Sequence, residues 1–338
     1  MGTRKLVGAW ALTAACAMGS VVAAGVGLDG RGQQTEGMEA ARQAYEASDY
    51  TKAAELLRAA VAKNPQDAQA HYLLAKTYFQ AEQHDAAVNS AEKAVALEPQ
   101  NSAFHELLGR AYGEKADHSS FIHGLPLARK TVSEFEKAVK LDERNFSARQ
   151  ALVEFYCAAP GIAGGGEDKA HPEIAKLIEM DASEGHYAAG NCRRQKKDFT
   201  TADVEFAKAL ESHPKSADLI YDIGDYAVKR GEADRLLAVA EIGEKAAPGD
   251  PRGKFYRAVG LILKNERGDA AESLLREYLQ RAPMRDGYPR PWTAHDWLGR
   301  FYEARGNTAA AIAEYEAALK LQSKDKVASD AAKRLRKS

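Results

Sequence analysis

A period of 34 residues constrains this chain more than any other feature. Pro65 and Pro99 are 34 apart, as are Ala53 and Ala87, Ala60 and Ala94, Leu74 and Leu108, and Tyr78 and Tyr112. The interval returns in Gly190 and Gly224, and in Pro214 and Pro248. Apolar residues at i, i+3, i+4 and i+7 within each repeat predict amphipathic helices. Abundant alanine and only 11 prolines favour helix throughout. One pair of helices cannot bury its apolar stripe alone, so neighbours must stack and share a core. The chain is therefore read as all-α, with about eight helix–turn–helix repeats over residues 36–338. KVASDAAKRLRKS reads as a C-terminal capping helix whose Lys and Arg suit a helix C-terminus.

Small residues set how closely the helices approach. Gly109, Gly190, Gly224 and Gly299 recur on first helices, and Ala53, Ala87, Ala202 and Ala311 on second helices. Two spacings depart from the period. Tyr112 to Tyr156 is 44, and so is Ala94 to Ala138, which predicts about ten extra residues near 113–130. Ala138 to Leu177 is 39, which predicts about five more within 158–167. Both are read as enlarged turns between helices. Asp168 or His171 is the expected cap of the helix after the second turn.

That second turn contains CAAPGIAGGGEDKA, and its glycines raise the question of a phosphate loop. A loop of the Walker type needs G-x-x-x-x-G-K-[ST] after a strand. Here Gly166 is followed by Glu167, Asp168, Lys169 and Ala170, and a helix precedes it. The acids repel phosphate and the magnesium-binding hydroxyl is missing, so no nucleotide or other cofactor is expected. The turn residues His118, His123, Gly164, Gly165 and Gly166 are candidate partner contacts, because long turns in compact proteins are often functional. Asp117, His118 and His123 match no strong metal signature, and no metal is expected. His118 beside Ser119 or Ser120 is weak grounds for a nucleophile pair.

The first thirty residues have a different character. Arg4 and Lys5 precede an uncharged stretch, Leu6 to Leu28, that ends in small residues at Val22, Ala23 and Ala24. This is the pattern of a secretory signal peptide over 1–24, followed by a short linker over 25–35. An uncleaved N-terminal anchor is the alternative, since the stretch is long enough to span a bilayer. Lipidation of Cys16 is a third reading. All three place the mature chain outside the cytoplasm, with the periplasm first. Membrane contact is expected only through this N-terminus. With cleavage near Ala24, Cys157 and Cys192 are the only cysteines of the mature chain, on first helices of adjacent repeats, and an oxidising compartment permits a disulfide between them. The net charge of −1 leaves no basic field for nucleic acid.

The repeats resemble the tetratricopeptide repeat family. HYLLAKTYFQAEQHDAAVNSAEKAVALEP carries Leu74, Ala75 and Tyr78 on its first helix, then Ala87, Ala91, Ala94 and Pro99. WLGRFYEARGNTAAAIAEYEAALKL repeats this with Leu298, Gly299, Tyr302, Gly306, Ala311, Tyr315 and Ala318. The resemblance implies a right-handed superhelical solenoid of stacked helix–turn–helix units. It also implies a groove lined by places 2, 5, 9, 12 and 13 of each first helix. Those places hold Tyr72, Lys76, Phe79, Glu106, Arg110, Gln150, Glu154, Tyr187, Asn191, Arg194, Tyr221 and Asp225. His71, His105, His186 and His295 share the fourth place, where the family often packs a bulky residue between helices. Members that bind chaperone tails hold the peptide carboxylate with a basic and amide clamp. Asn191 matches one position of it, but Tyr187 stands where a Lys is needed and Asp222 where an Asn is needed. The implied role is a non-enzymatic scaffold that binds a protein or peptide in a bacterial cell envelope. A membrane-tethered assembly factor is the alternative. An enzyme or metal carrier using the enlarged turns is a third.

Overall fold

The computed structural model describes residues 31–265, 268–281, 283 and 287–337. The proposed leader, its anchor alternative and Cys16 lie outside them. Among the described residues all regular structure is helical, and the helices follow one another in pairs. Arg31–Glu46 (α1) precedes Tyr50–Lys63 (α2), and Ala68–Gln80 (α3) precedes His84–Leu97 (α4). Ser102–Asp117 (α5) and Phe121–Leu141 (α6) follow, then Phe146–Ala158 (α7) and Glu167–Met180 (α8). Ala182–Gln195 (α9) leads to Phe199–Glu211 (α10), and Ala217–Arg230 (α11) to Ala233–Ala246 (α12). The last pairs are Arg252–Leu263 (α13) with Gly268–Arg281 (α14), and Pro291–Ala304 (α15) with Thr308–Leu321 (α16). Lys326–Leu335 (α17) closes the series. No described helix is long and apolar enough to cross a membrane. The first helix begins at Arg31, within the stretch 25–35 read as linker.

The chain divides into two bodies, one up to Asp203 and one from Val204, with the boundary inside α10. In the N-terminal body the first helices α3, α5, α7 and α9 lie side by side, each also packed on its second helix or its neighbour's. In the C-terminal body α11, α13, α15 and α17 do the same. This is an all-α repeat solenoid.

Local chemistry explains where the helices start. Asp67 accepts from Ala70 N at 2.9 Å, Asn145 from Ala148 N at 2.9 Å and Asn307 from Ala310 N at 3.2 Å. Each satisfies one of the orphan N–H groups of a first turn. Packing follows from the small residues. A Cβ on Gly109 would stand 2.6 Å from the Phe135 ring, so only glycine lets α5 and α6 meet there. Ala53, Ala87, Ala202 and Ala311 are all buried.

The two departures from the period are resolved differently. The residues near 113–130 make no enlarged turn, contrary to the spacing-based expectation. They lengthen α5 to 16 residues and α6 to 21, and only 118–120 separate the two helices. The reason is that the buried stripe of α6 is in helical phase from Gly124 through Ala128, Val132, Phe135 and Val139. The residues after Ala158 do form a turn, 159–166, with a short 3-10 helix at Gly161–Ala163. Gly164 and Gly166 take φ of 101° and 151°, which other residues adopt only under strain. The next helix starts at Glu167 behind Gly166, so neither Asp168 nor His171 is its cap. Glu167 and Asp168 instead occupy its first turn, where the helix dipole favours acids.

Candidate functional site

The first-helix face of the N-terminal body brings most of the expected groove residues together. Tyr72 stacks on Phe104 with ring centroids 4.9 Å apart. Lys76 Nζ lies 5.3 Å from the Tyr45 ring centre and 5.9 Å from that of Tyr72. Phe79 stands half-buried on the same helix. Burial, then the charge of Glu106, pushes the Tyr72 hydroxyl up to about 12. Next along the face, Arg110 donates from Nε to Glu106 Oε1 at 3.1 Å and from a terminal N to Ser147 Oγ at 3.0 Å. Ser147 donates in turn to Glu106 at 2.6 Å. Arg110 is buried by this network. It therefore fixes α5 against α7 rather than offering a free cation to a ligand.

Beyond it the face turns acidic. Burial raises the Glu154 carboxyl, against the pull of Arg110. Glu184 is pushed up to about 7 by burial, then by Asp181 and Glu154. Gln150, Tyr187, Asn191 and Arg194 are partly buried nearby in sequence register, and Asn191 Oδ1 is buried without a hydrogen-bond partner. Two members of this face escaped the sequence reading. Tyr45 and Glu184 sit at places 12 and 2, and extending the register one repeat upstream and filling every place would have found them.

The C-terminal body overturns one expectation. Tyr221 is only 1% exposed and offers nothing to a ligand. It stacks on Tyr256 at 5.4 Å, and the Arg252 guanidinium covers it at 4.5 Å. Arg252 also lies 4.3 Å over Tyr288, holds Asp250 through Nε and a terminal N, and reaches Asp218 at 2.7 Å. Asp225 accepts from the Tyr256 hydroxyl at 2.7 Å, and burial raises its carboxyl. Tyr221 and Asp225 therefore belong to an aromatic and arginine knot inside this body. On the second helices, a groove of about 740 Å³ runs beside Leu210, Pro214, Ala238 and Ile242.

The glycine turn is closed on itself. Gly164 N donates to Gly161 O, Gly165 N to Pro160 O and Gly166 N to Tyr156 O. Lys169 Nζ donates to Gly164 O at 2.9 Å, and Arg129 Nε to Ile162 O at 3.1 Å. The N–H groups that would cradle phosphate are thus already used. A Cβ on Gly165 would meet Ala159 O at 2.0 Å, which explains glycine there without a ligand. Cys157 and Cys192 are bridged, with Cα atoms 5.2 Å apart, and tie α7 to α9.

The fourth-place histidines are held in place. His71 Nε2 donates to Pro65 O at 3.1 Å, and His105 Nε2 to Pro99 O at 3.0 Å, one period later. Arg149 occupies the same place in α7 and donates to Glu143 O at 3.0 Å. A second-helix carboxylate completes the arrangement: Glu134 on His105, Glu173 on Arg149, Glu277 on Lys254 and Glu314 on His295. In the turn after α5, Ser120 meets His123 Nδ1 at 2.8 Å, while Ser119 donates to Lys115 O. His118 is instead beside His84 and Glu114.

Comparison with known proteins agrees with this architecture. Two family models described as tetratricopeptide repeat match residues 44–112 and 261–326. The chain is a tetratricopeptide repeat protein. No curated protein sequence matches it. Among solved structures, a thermophilic TPR protein of Thermus thermophilus is similar at 23% identity and TM-score 0.45, over 55% of this chain and 94% of that one. A tetratricopeptide repeat protein from Parabacteroides merdae aligns over 90% of this chain and 99% of its own, at 13% identity and TM-score 0.44. YrrB, described as a TPR protein with an unusual peptide-binding site, aligns over 52% of this chain and 84% of its own, at 20% identity and TM-score 0.40.

Proposed function

We propose that this protein is a non-enzymatic scaffold of the bacterial cell envelope that holds a protein or peptide segment on the first-helix face of its N-terminal body. One observation carries the reading: Tyr45, Tyr72 and Lys76 form a partly exposed aromatic and basic cluster on the face where stacked repeats offer a continuous surface. Tyrosine is enriched at binding hot spots because it supplies large contact area with a polar end. The face has two chemical poles. Lys76 suits an acidic residue of the partner, and the carboxyls of Glu154 and Glu184 suit a basic one.

Export is supported by the basic and apolar N-terminal pattern. The Cys157–Cys192 bridge is consistent with it, because such bonds persist in oxidising compartments. The test is site-specific photo-cross-linking in the native organism. Probes at Lys76 and Gln150 are expected to capture the same partner, and a probe at the exposed second-helix Lys93 is expected to miss it. Capture from Lys93 alone would overturn the placement. N-terminal sequencing of the envelope-fractionated protein tests export, and recovery from the cytoplasm would overturn it.

A further inference from the structure

His84, Glu114 and His118 converge at the junction of two repeats, although 34 residues separate the two histidines in sequence. His84 is the first residue of α4, and His118 is the C-cap of α5. The convergence depends on the lengthened helix. α5 has 16 residues where α3 and α7 have 13. Its three additional residues, 115–117, carry the cap residue His118 past the ordinary end of a first helix, which Glu114 occupies, and against the turn that opens α4. Glu114 and His118 are four apart, so they share one face of α5. The two imidazoles are stacked with centroids 4.2 Å apart. One potential ligand atom from each of the three residues lies within 4.8 Å of the others.

We propose that these three side chains bind a divalent first-row transition-metal ion of the zinc class. Two imidazoles and one carboxylate are a donor set that such ions prefer over calcium or magnesium, which favour oxygen alone. Ligand atoms about 2.1 Å from a tetrahedral ion stand roughly 3.4 Å from one another. His118 is more than half exposed and His84, the first residue of α4, is partly exposed, so both rings have room to turn toward an ion. A second feature points the same way. His118 Nδ1 donates to the backbone carbonyl of Glu114 at 2.8 Å. That bond holds the neutral ring's proton on Nδ1 and leaves Nε2 with its lone pair. Metal-binding histidines are oriented in this manner by a carbonyl or carboxylate on the other nitrogen. Lys115, the nearest cation on α5, is engaged with Asp85 at 2.7 Å. Three protein ligands leave a coordination position for water or for a partner's side chain. The bound ion would clip the second repeat to the third.

The test uses the complete, tag-free mature protein, stripped with a chelator and titrated with Zn²⁺ by calorimetry and with Co²⁺ by visible absorption. One equivalent is expected, with the intense bands of low-coordinate Co²⁺. His84→Ala and His118→Ala are each expected to weaken binding by about tenfold or more. The double variant is expected to lose it, and His123→Ala to leave it unchanged. Glu114→Gln, which keeps the side chain's shape, is expected to weaken binding with an unchanged circular dichroism spectrum. Absence of stoichiometric uptake would overturn the proposal. So would uptake that survives in the folded double variant.

Discussion

Tyr72 and Tyr221 occupy the same place in two repeats, and their fates differ. In the N-terminal body, Tyr72 is covered on one side by Phe104 and remains partly exposed beside Lys76. In the C-terminal body, the next repeat supplies Tyr256 and Arg252, and together they bury Tyr221. The repeat register says which side of a helix a residue occupies. What the neighbouring repeat brings to that side decides whether the residue stabilises the fold or meets a partner. At this place the N-terminal body leaves its tyrosine partly at the surface. The C-terminal body makes its tyrosine core, covered by a buried arginine. The N-terminal body has a disulfide that the C-terminal body lacks among its described residues.

The largest effect is expected from Arg252→Ala. It removes the buried partner of the largely covered Asp250 and uncovers Tyr221, and breaking a buried pair in this way costs about 3–5 kcal/mol. Urea unfolding followed by near-ultraviolet circular dichroism should show the C-terminal body melting first. A loss under about 1 kcal/mol, of the order of a surface change, would mean that the knot is not what holds this body.

Reduction of Cys157–Cys192 comes next. The bond closes a loop with a sequence separation of 35. Bonds of this kind contribute about 2–4 kcal/mol, largely by restricting the unfolded chain. Cys157→Ser with Cys192→Ser should lower the melting temperature of the N-terminal body and leave the other unmoved. Equal loss in both bodies, read by hydrogen exchange, would erase the distinction between them.

Asp296 gives a smaller, pH-dependent effect. Burial, then Asp325 nearby, pushes its carboxyl up to about 7. Asp325 caps α17 through Val327 N and Ala328 N. A carboxyl whose folded pKa exceeds its unfolded value favours folding while protonated. The stabilisation is present below the unfolded value and is lost as pH rises through about 7. Asp296→Asn should therefore raise the melting temperature by a few degrees at about pH 8 and change it little at about pH 4. An equal gain at both would remove the titration from the explanation.

Lys76→Ala should have the smallest effect on stability, within about 0.5 kcal/mol as for most surface changes. It should still reduce partner capture from the N-terminal face. Intact capture would move the binding surface away from the Tyr45 and Tyr72 cluster.

The repeat fold was legible from the 34-residue period because stacking requires each unit to present the same stripe at the same place. The glycine turn was legible as a turn because Gly164 and Gly166 adopt positive φ that few other residues tolerate. The extra residues near 113–130 were misread as loop. Counting spacings detects an insertion but not whether its apolar stripe stays in phase, and in α6 it does. The metal-ligand trio was invisible for a related reason: His84 and His118 meet only because the lengthened α5 crosses the edge of the preceding repeat.

The period, the helix pairs and the small residues at their contacts follow from the order of the residues alone. All of these depend on residues within one repeat or its immediate neighbour. That Tyr221 is core, that Arg110 is tied to Glu106 and Ser147, and that Cys157 reaches Cys192 emerges only once the repeats are packed together. Those outcomes depend on which side chains adjacent repeats bring within a few ångströms, and a periodic pattern does not encode that distance.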